Sequence, residues 1–236
     1  MTILDNLITI IVGSITGVSR TITQGKSALE DFFYVRVSGL SFVVLGSRQV
    51  GKTTLIEWLK KNMDSIEGID PEPTAAGGDE IPRFTAKVEG EHLRMRPTRD
   101  VGGEYAMWET DWVELFRQSQ PRGIIFMIDD SDVHLQKDAL NFVLQMIDDE
   151  PAAAKHLKAF FILVNKYDLW GEEKTMDDII SHYRNERRRL DAQAERIGYK
   201  YAITYGSLTT GKGVRPMMSK FFNVLRPKAR KIIEIA

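Results

Sequence analysis

Gly46 and Gly51 enclose four residues and are followed at once by Lys52 and Thr53. That spacing suits a polyphosphate. Glycines let backbone N–H groups curl around an anion with no Cβ in the way. A lysine placed there reaches the β- and γ-phosphates, and the Thr53 hydroxyl can hold Mg²⁺. Ser47, Arg48, Gln49, Val50 and Thr54 complete the loop and its exit. The stretch lies between the apolar run Phe42–Leu45 and a helical pattern starting near Lys52, which confirms the motif by context. The helix points unpaired N–H groups and its positive dipole end at the same anion.

Three more stretches carry chemistry. Asp100-Val101-Gly102-Gly103-Glu104 follows a strand pattern. Asp100 can hold Mg²⁺ through water, and Gly103 can give its N–H to a terminal phosphate where a side chain would intrude. Asp and Gly also make ordinary turns, so this signal is weak alone. Asn165-Lys166-Tyr167-Asp168 follows the apolar Phe160–Val164. The Asp168 carboxylate can accept from both N1–H and the 2-amino group of guanine. Adenine offers neither donor, and such sites discriminate by about 10⁴–10⁵. Asn165 can tie this segment to the phosphate loop, while the Lys166 stem covers a base face. Tyr205 to Val214 is a glycine-containing turn after another strand, and a backbone N–H near Ser207 and Leu208 could meet guanine O6.

These residues need a scaffold that brings loops together. Ser41–Leu45, Gly123–Asp129, Ala159–Val164 and Tyr201–Tyr205 read as strands, the first three as buried parallel ones. Phe84–Glu89 and His92–Arg96 alternate as a hairpin around Gly90, with Arg94 and Arg96 on a solvated face. Helices are expected over Thr53–Asn62, Val133–Met146, Met176–Ile197 and from Val214 onward, the last interrupted by Pro227. The Pro- and Gly-rich Ile69–Gly78 is a loop. Pro97 implies an edge or bent strand. Alternating strands and helices predict an α/β fold: a mostly parallel sheet, helices on both faces and ligand loops at the strands' carboxyl ends.

The chain of 236 residues accommodates such a domain over 36–236 and an extension over 1–35. The formal net charge of −1 gives no reason to expect nucleic acid as a partner. With no cysteine, disulfides, thiolate metal sites and cysteine nucleophiles are excluded. His92, His134, His156 and His182 are scattered without metal-ligand spacing. In the extension, Ile3, Leu4, Leu7, Ile8, Ile11, Val12, Ile15 and Val18 recur at helical spacing. The run is too short to span a bilayer and lacks the marks of a secretory signal, and Thr2 excludes N-terminal myristoylation. Two readings stay open for residues 3–18: a helix lying on a membrane surface, or one packed on its own domain or a partner protein. The expected location is cytoplasmic, peripheral at a membrane in the first case.

Taken together, Gly46 to Thr54, Asp100 to Gly103 and Asn165 to Asp168 make the chain resemble the Ras-like small GTPases, most closely the ADP-ribosylation-factor branch. The resemblance spans roughly Val37 to Leu225 and includes Gly123 to Asp132 and the Trp-containing Met107 to Phe116. It implies a P-loop G domain that switches between GDP and GTP with Mg²⁺ and meets exchange factors, activators and effectors. It makes Thr74, after Pro73, the threonine completing the Mg²⁺ shell, with Thr85 as rival, and Lys52, Thr74 and Glu104 the catalytic set. By the same analogy Asp129, Asp130 and Asp132 are a strand end and helix cap rather than a metal cluster.

Two positions depart from the family. Glu104 stands where relatives have a water-orienting glutamine; a carboxylate beside the γ-phosphate is a like charge, so slow intrinsic hydrolysis is expected. Arg48 occupies a loop position often glycine or aspartate, and can touch phosphate, pair with Glu104 or face solvent. A GTP-loaded assembly module that barely hydrolyses is the alternative function. An ATPase is disfavoured by Asp168.

Overall fold

The computed structural model describes residues 39–61, 63, 79–88, 91–97 and 99–226. The extension over 1–35, with its apolar residues 3–18, and Thr74 lie outside the described residues.

The core of the domain is built from three apolar strands. β1 (Leu40–Gly46), β6 (Gly123–Ile128) and β7 (Ala159–Val164) are buried along their whole lengths. Their side chains alternate between two separate cores, as the two-residue period of a strand requires. Val43, Leu45, Ile124, Phe126, Ile128, Phe160, Ile162 and Val164 face one core. Phe42, Val44, Ile125, Met127, Phe161 and Leu163 face the other. A strand covered on both faces needs no polar side, so it reads as a continuous apolar run.

Six strands form the main sheet, in the order β3-β4-β1-β6-β7-β8. β3 (Phe84–Val88) runs antiparallel to β4 (Glu91–Pro97). All other pairs, out to β8 (Lys200–Tyr205), are parallel. A two-residue ladder joins β2 (Asp79–Glu80) to β5 (Arg99–Asp100) in the register of the β3–β4 hairpin: Glu80 faces Arg99 just as Phe84 faces Met95. Counting inward along that register sets Pro82 opposite Pro97. Neither can donate a ladder N–H, so the hairpin breaks there. Pro97 therefore does not mark an edge strand. It is the last residue of the interior strand β4, pairing with Phe42 of β1 beyond the end of β3.

On one face lie α2 (Tyr105–Met107), a π-helical turn (Trp108–Trp112), α3 (Val113–Ser119), α4 (Val133–Asp149), α5 (Pro151–Ala154), α7 (Met176–Ile180) and α8 (Arg184–Ile197). A single-turn helix, α6 (Tyr167–Trp170), precedes α7. α1 (Lys52–Lys60) and α9 (Val214–Leu225) cover the other face. On α9, Val214, Met217, Met218, Phe221, Phe222 and Leu225 make the buried stripe, and both phenylalanines meet Phe42 edge-on. Asp132 caps α4 by accepting the Leu135 N–H at 3.0 Å.

The expected single helix over Met176–Ile197 is split. A 3₁₀ turn, Ser181–Tyr183, separates α7 from α8. Ser181 Oγ donates back to the Asp178 carbonyl at 2.7 Å, and Tyr183 turns inward, 2% exposed, to donate to Gln136 Oε1 at 3.3 Å. Among the described residues no helix is long and apolar enough to cross a membrane.

Candidate functional site

Parallel strands deliver their following loops to one edge of the sheet, and the described candidate residues lie on or beside those loops. The turn after β1 carries Ser47, Arg48, Gln49 and Val50 between its two glycines. Gln49 takes a left-handed conformation, φ 64°, and Val50 drops into the core beneath. Gly51 has φ 100°, and a Cβ there would lie 2.6 Å from Asn165 Nδ2, so no other residue fits. It also offers no side chain to cap α1, which leaves the start of that helix to an anion.

Lys52, buried at the base of the loop, donates from Nζ to the Ser47 carbonyl at 2.9 Å. Burial lowers its pKa to about 8, against the opposing pull of the Asp100 charge. Thr53 Oγ1 donates to Asp100 Oδ2 at 2.6 Å. A hydroxyl and a carboxylate this close are the hard oxygen donors that suit Mg²⁺. Among the described residues there is no cluster of three or more His, Cys, Asp or Glu able to hold a metal. Asp129, Asp130 and Asp132 are engaged otherwise: with Lys166 at 2.6 Å, with Lys174 at 2.6 Å, and in the cap of α4.

Gly103 lies against the phosphate loop. A Cβ there would fall 2.3 Å from the Ser47 carbonyl carbon and 2.4 Å from the Arg48 nitrogen. Two buried indoles hold this segment from behind. Trp112 Nε1 donates to the Gly102 carbonyl at 2.9 Å and Trp108 Nε1 to the Gly103 carbonyl at 3.3 Å. The rings stack on each other, 5.3 Å between centroids, within the π-helical turn. Glu104 follows, and its Oε1 stands 3.7 Å from Arg48 Nη1.

Asn165 joins three loops. Its Nδ2 donates to the Val50 carbonyl at 2.9 Å, and its Oδ1 accepts the Leu208 N–H at 3.2 Å. Its own carbonyl receives Trp170 Nε1 at 2.7 Å. Lys166 adopts φ 60° and pairs with buried Asp129. Burial would raise the Asp129 pKa, but hydrogen bonds from Lys166 and Ser131 and the Lys166 charge outweigh it and hold it below the usual carboxylate range. Asp168 is exposed in the first turn of α6. Tyr167 beside it stacks on Tyr205 at 4.8 Å, with Lys212 Nζ 4.0 Å above its ring.

The loop after β8 is closed internally. The Ser207 N–H goes to the Lys212 carbonyl at 2.9 Å and the Leu208 N–H to Asn165, so the two donors expected for guanine O6 are engaged within the protein. Sequence reasoning missed the two indole donors and the Asp129 anchor. Trp108 and Trp112, four apart just after a glycine pair, were the available signal for the first.

A phosphate loop on a parallel sheet, a glycine segment touching it, and an asparagine tying it to a second loop define a P-loop G domain: a small GTP-binding protein of the Ras-like class. The chain belongs to the ADP-ribosylation factor family, whose model matches residues 32–225. Members of the family are GTPases that bind GTP or GDP with Mg²⁺ and interact with regulatory proteins. No match was found among curated proteins.

Proposed function

We propose that this protein is a guanine-nucleotide switch that hydrolyses GTP slowly on its own. The observation that carries the reading is Asn165, bound to Val50 on one side and Leu208 on the other. In this reading the nucleotide lies with its phosphates on Gly46–Thr54 and its base at Asp168, flanked by Ser207, Leu208 and the Lys166 stem.

In this reading, loop N–H groups and Lys52 hold the β- and γ-phosphates. Thr53 and Asp100 would hold Mg²⁺, with Thr74, outside the described residues, as the further ligand. Bound there, Mg²⁺ would neutralise charge on the phosphate oxygens. Water attacks the γ-phosphorus in line as the bond to the β–γ bridging oxygen breaks. Gly103 donates its N–H to the γ-phosphate and Glu104 orients the water by accepting its hydrogen bond. The carboxylate is a like charge there, which supports slow turnover. Residues 3–18 serve as the contact to a membrane surface or partner protein on the cytoplasmic side, and exchange factors, activators and effectors act on the loops.

Purified full-length protein tests this directly. The expected result is co-purifying GDP or GTP, and slow release of phosphate from GTP but not from ATP. Adenosine nucleotides bound as tightly as guanosine ones would overturn it. Guanine nucleotide bound with no measurable turnover would favour a GTP-loaded assembly module instead.

A further inference from the structure

Arg48 and Glu104 are 56 positions apart, yet their placement is set by buried structure. Gly103 packs on the backbone of Ser47 and Arg48 so closely that it has no room for a Cβ. The carbonyls of Gly102 and Gly103 are tied down by Trp112 and Trp108, which are 0% and 1% exposed. Glu104 therefore starts from an anchored backbone in contact with the residue that carries its partner. From these anchors the two side chains reach outward and meet at 3.7 Å, with 61% and 55% of their surfaces exposed.

So exposed a pair does little for stability. Its position gives it another role. Glu104 projects from the segment that touches the phosphate loop, where a carboxylate would repel an incoming γ-phosphate. Arg48 brings a permanent positive charge to the same place, with a planar fork that fits a carboxylate.

We infer that Arg48 is the positioning residue for Glu104: it offsets the carboxylate's charge and aims it, so that an acidic side chain can orient the attacking water. The inference rests on the switch reading above and extends it by naming what makes Glu104 workable. Arg48 acts through Glu104 and not on the phosphate, so its effect must vanish when position 104 is uncharged.

A double-mutant cycle on the full chain tests this. Single-turnover hydrolysis and GTP affinity are measured for wild type, Arg48→Ala, Glu104→Gln and the double variant, with Arg48→Lys as the conservative control. Arg48→Ala should slow hydrolysis about fivefold, as loss of an exposed charge pair implies, and should weaken GTP binding slightly, the carboxylate then repelling the γ-phosphate unopposed. In the Glu104→Gln background the same change should leave the rate unaltered, and Arg48→Lys should keep most of the rate. Equal slowing in both backgrounds would overturn the inference, because the arginine would then act on the phosphate itself. Faster hydrolysis in Arg48→Ala would overturn it too, the pair then being a brake. Failure of wild type to bind guanine nucleotide would instead bring down the switch reading beneath it, and the inference with it.

Discussion

The Asn165 carboxamide donates to the Val50 carbonyl at 2.9 Å across 115 positions of sequence, while its oxygen takes the Leu208 N–H at 3.2 Å. Removing it orphans two buried backbone groups, each costing about 1–3 kcal/mol. Asn165→Ala is expected to lower the melting temperature of nucleotide-free protein and to weaken guanine-nucleotide binding. Asn165→Asp should be worse, since a carboxylate oxygen would face the Val50 carbonyl. Thermal unfolding with and without GDP checks both.

Gly103→Ala forces the glycine segment away from the loop, because the added methyl would sit 2.3 Å from Ser47. A displacement of about an ångström from reacting geometry can cost about a hundredfold in rate. Single-turnover hydrolysis should fall by that order while the fold survives. GDP affinity, which needs no contact to a γ-phosphate, should change little.

Lys52 titrates near 8 in the folded protein against an ordinary 10.5. Between those values the unfolded chain binds more protons at this site, so its contribution to the stability of nucleotide-free protein grows as pH rises from 8 to 10.5. Phosphates reverse the shift by favouring the ammonium. Nucleotide binding near pH 9 should therefore take up a proton, seen as a calorimetric enthalpy that depends on buffer ionisation heat. Lys52→Met should abolish the uptake and most of the affinity.

Asp168→Asn replaces two acceptors by one and a donor. The preference for guanine over adenine nucleotides should collapse by about 10⁴, the discrimination such a site supports. Xanthine, which carries a carbonyl where guanine has its amino group, should gain affinity. Competition calorimetry with the three nucleotides decides it, and an unchanged preference would remove Asp168 from the base site.

What the chain discloses on reading follows from which signals are local. β1, β6 and β7 stand out because burial on both faces leaves unbroken apolar runs, and the phosphate loop because its glycines and lysine are contiguous. The split between α7 and α8 was hidden, since three residues of 3₁₀ helix barely disturb a 3.6-residue period. The β2–β5 ladder is two residues long, too short for any pattern to show. The indole bonds to Gly102 and Gly103 and the Lys166–Asp129 pair depend on tertiary geometry that spacing alone does not contain. The Arg48–Glu104 contact was foreseeable as one option among three, and only the packing of Gly103 selects it.

Pro82 and Pro97, set opposite one another by the register that β2–β5 and β3–β4 share, have a mechanical consequence. While they share one gap, the ladder forgoes hydrogen bonds at a single place. Sliding either strand along the other would set each imino ring against an ordinary neighbour and open a second gap. The hairpin is thus keyed against slippage, which keeps Asp79 opposite Asp100.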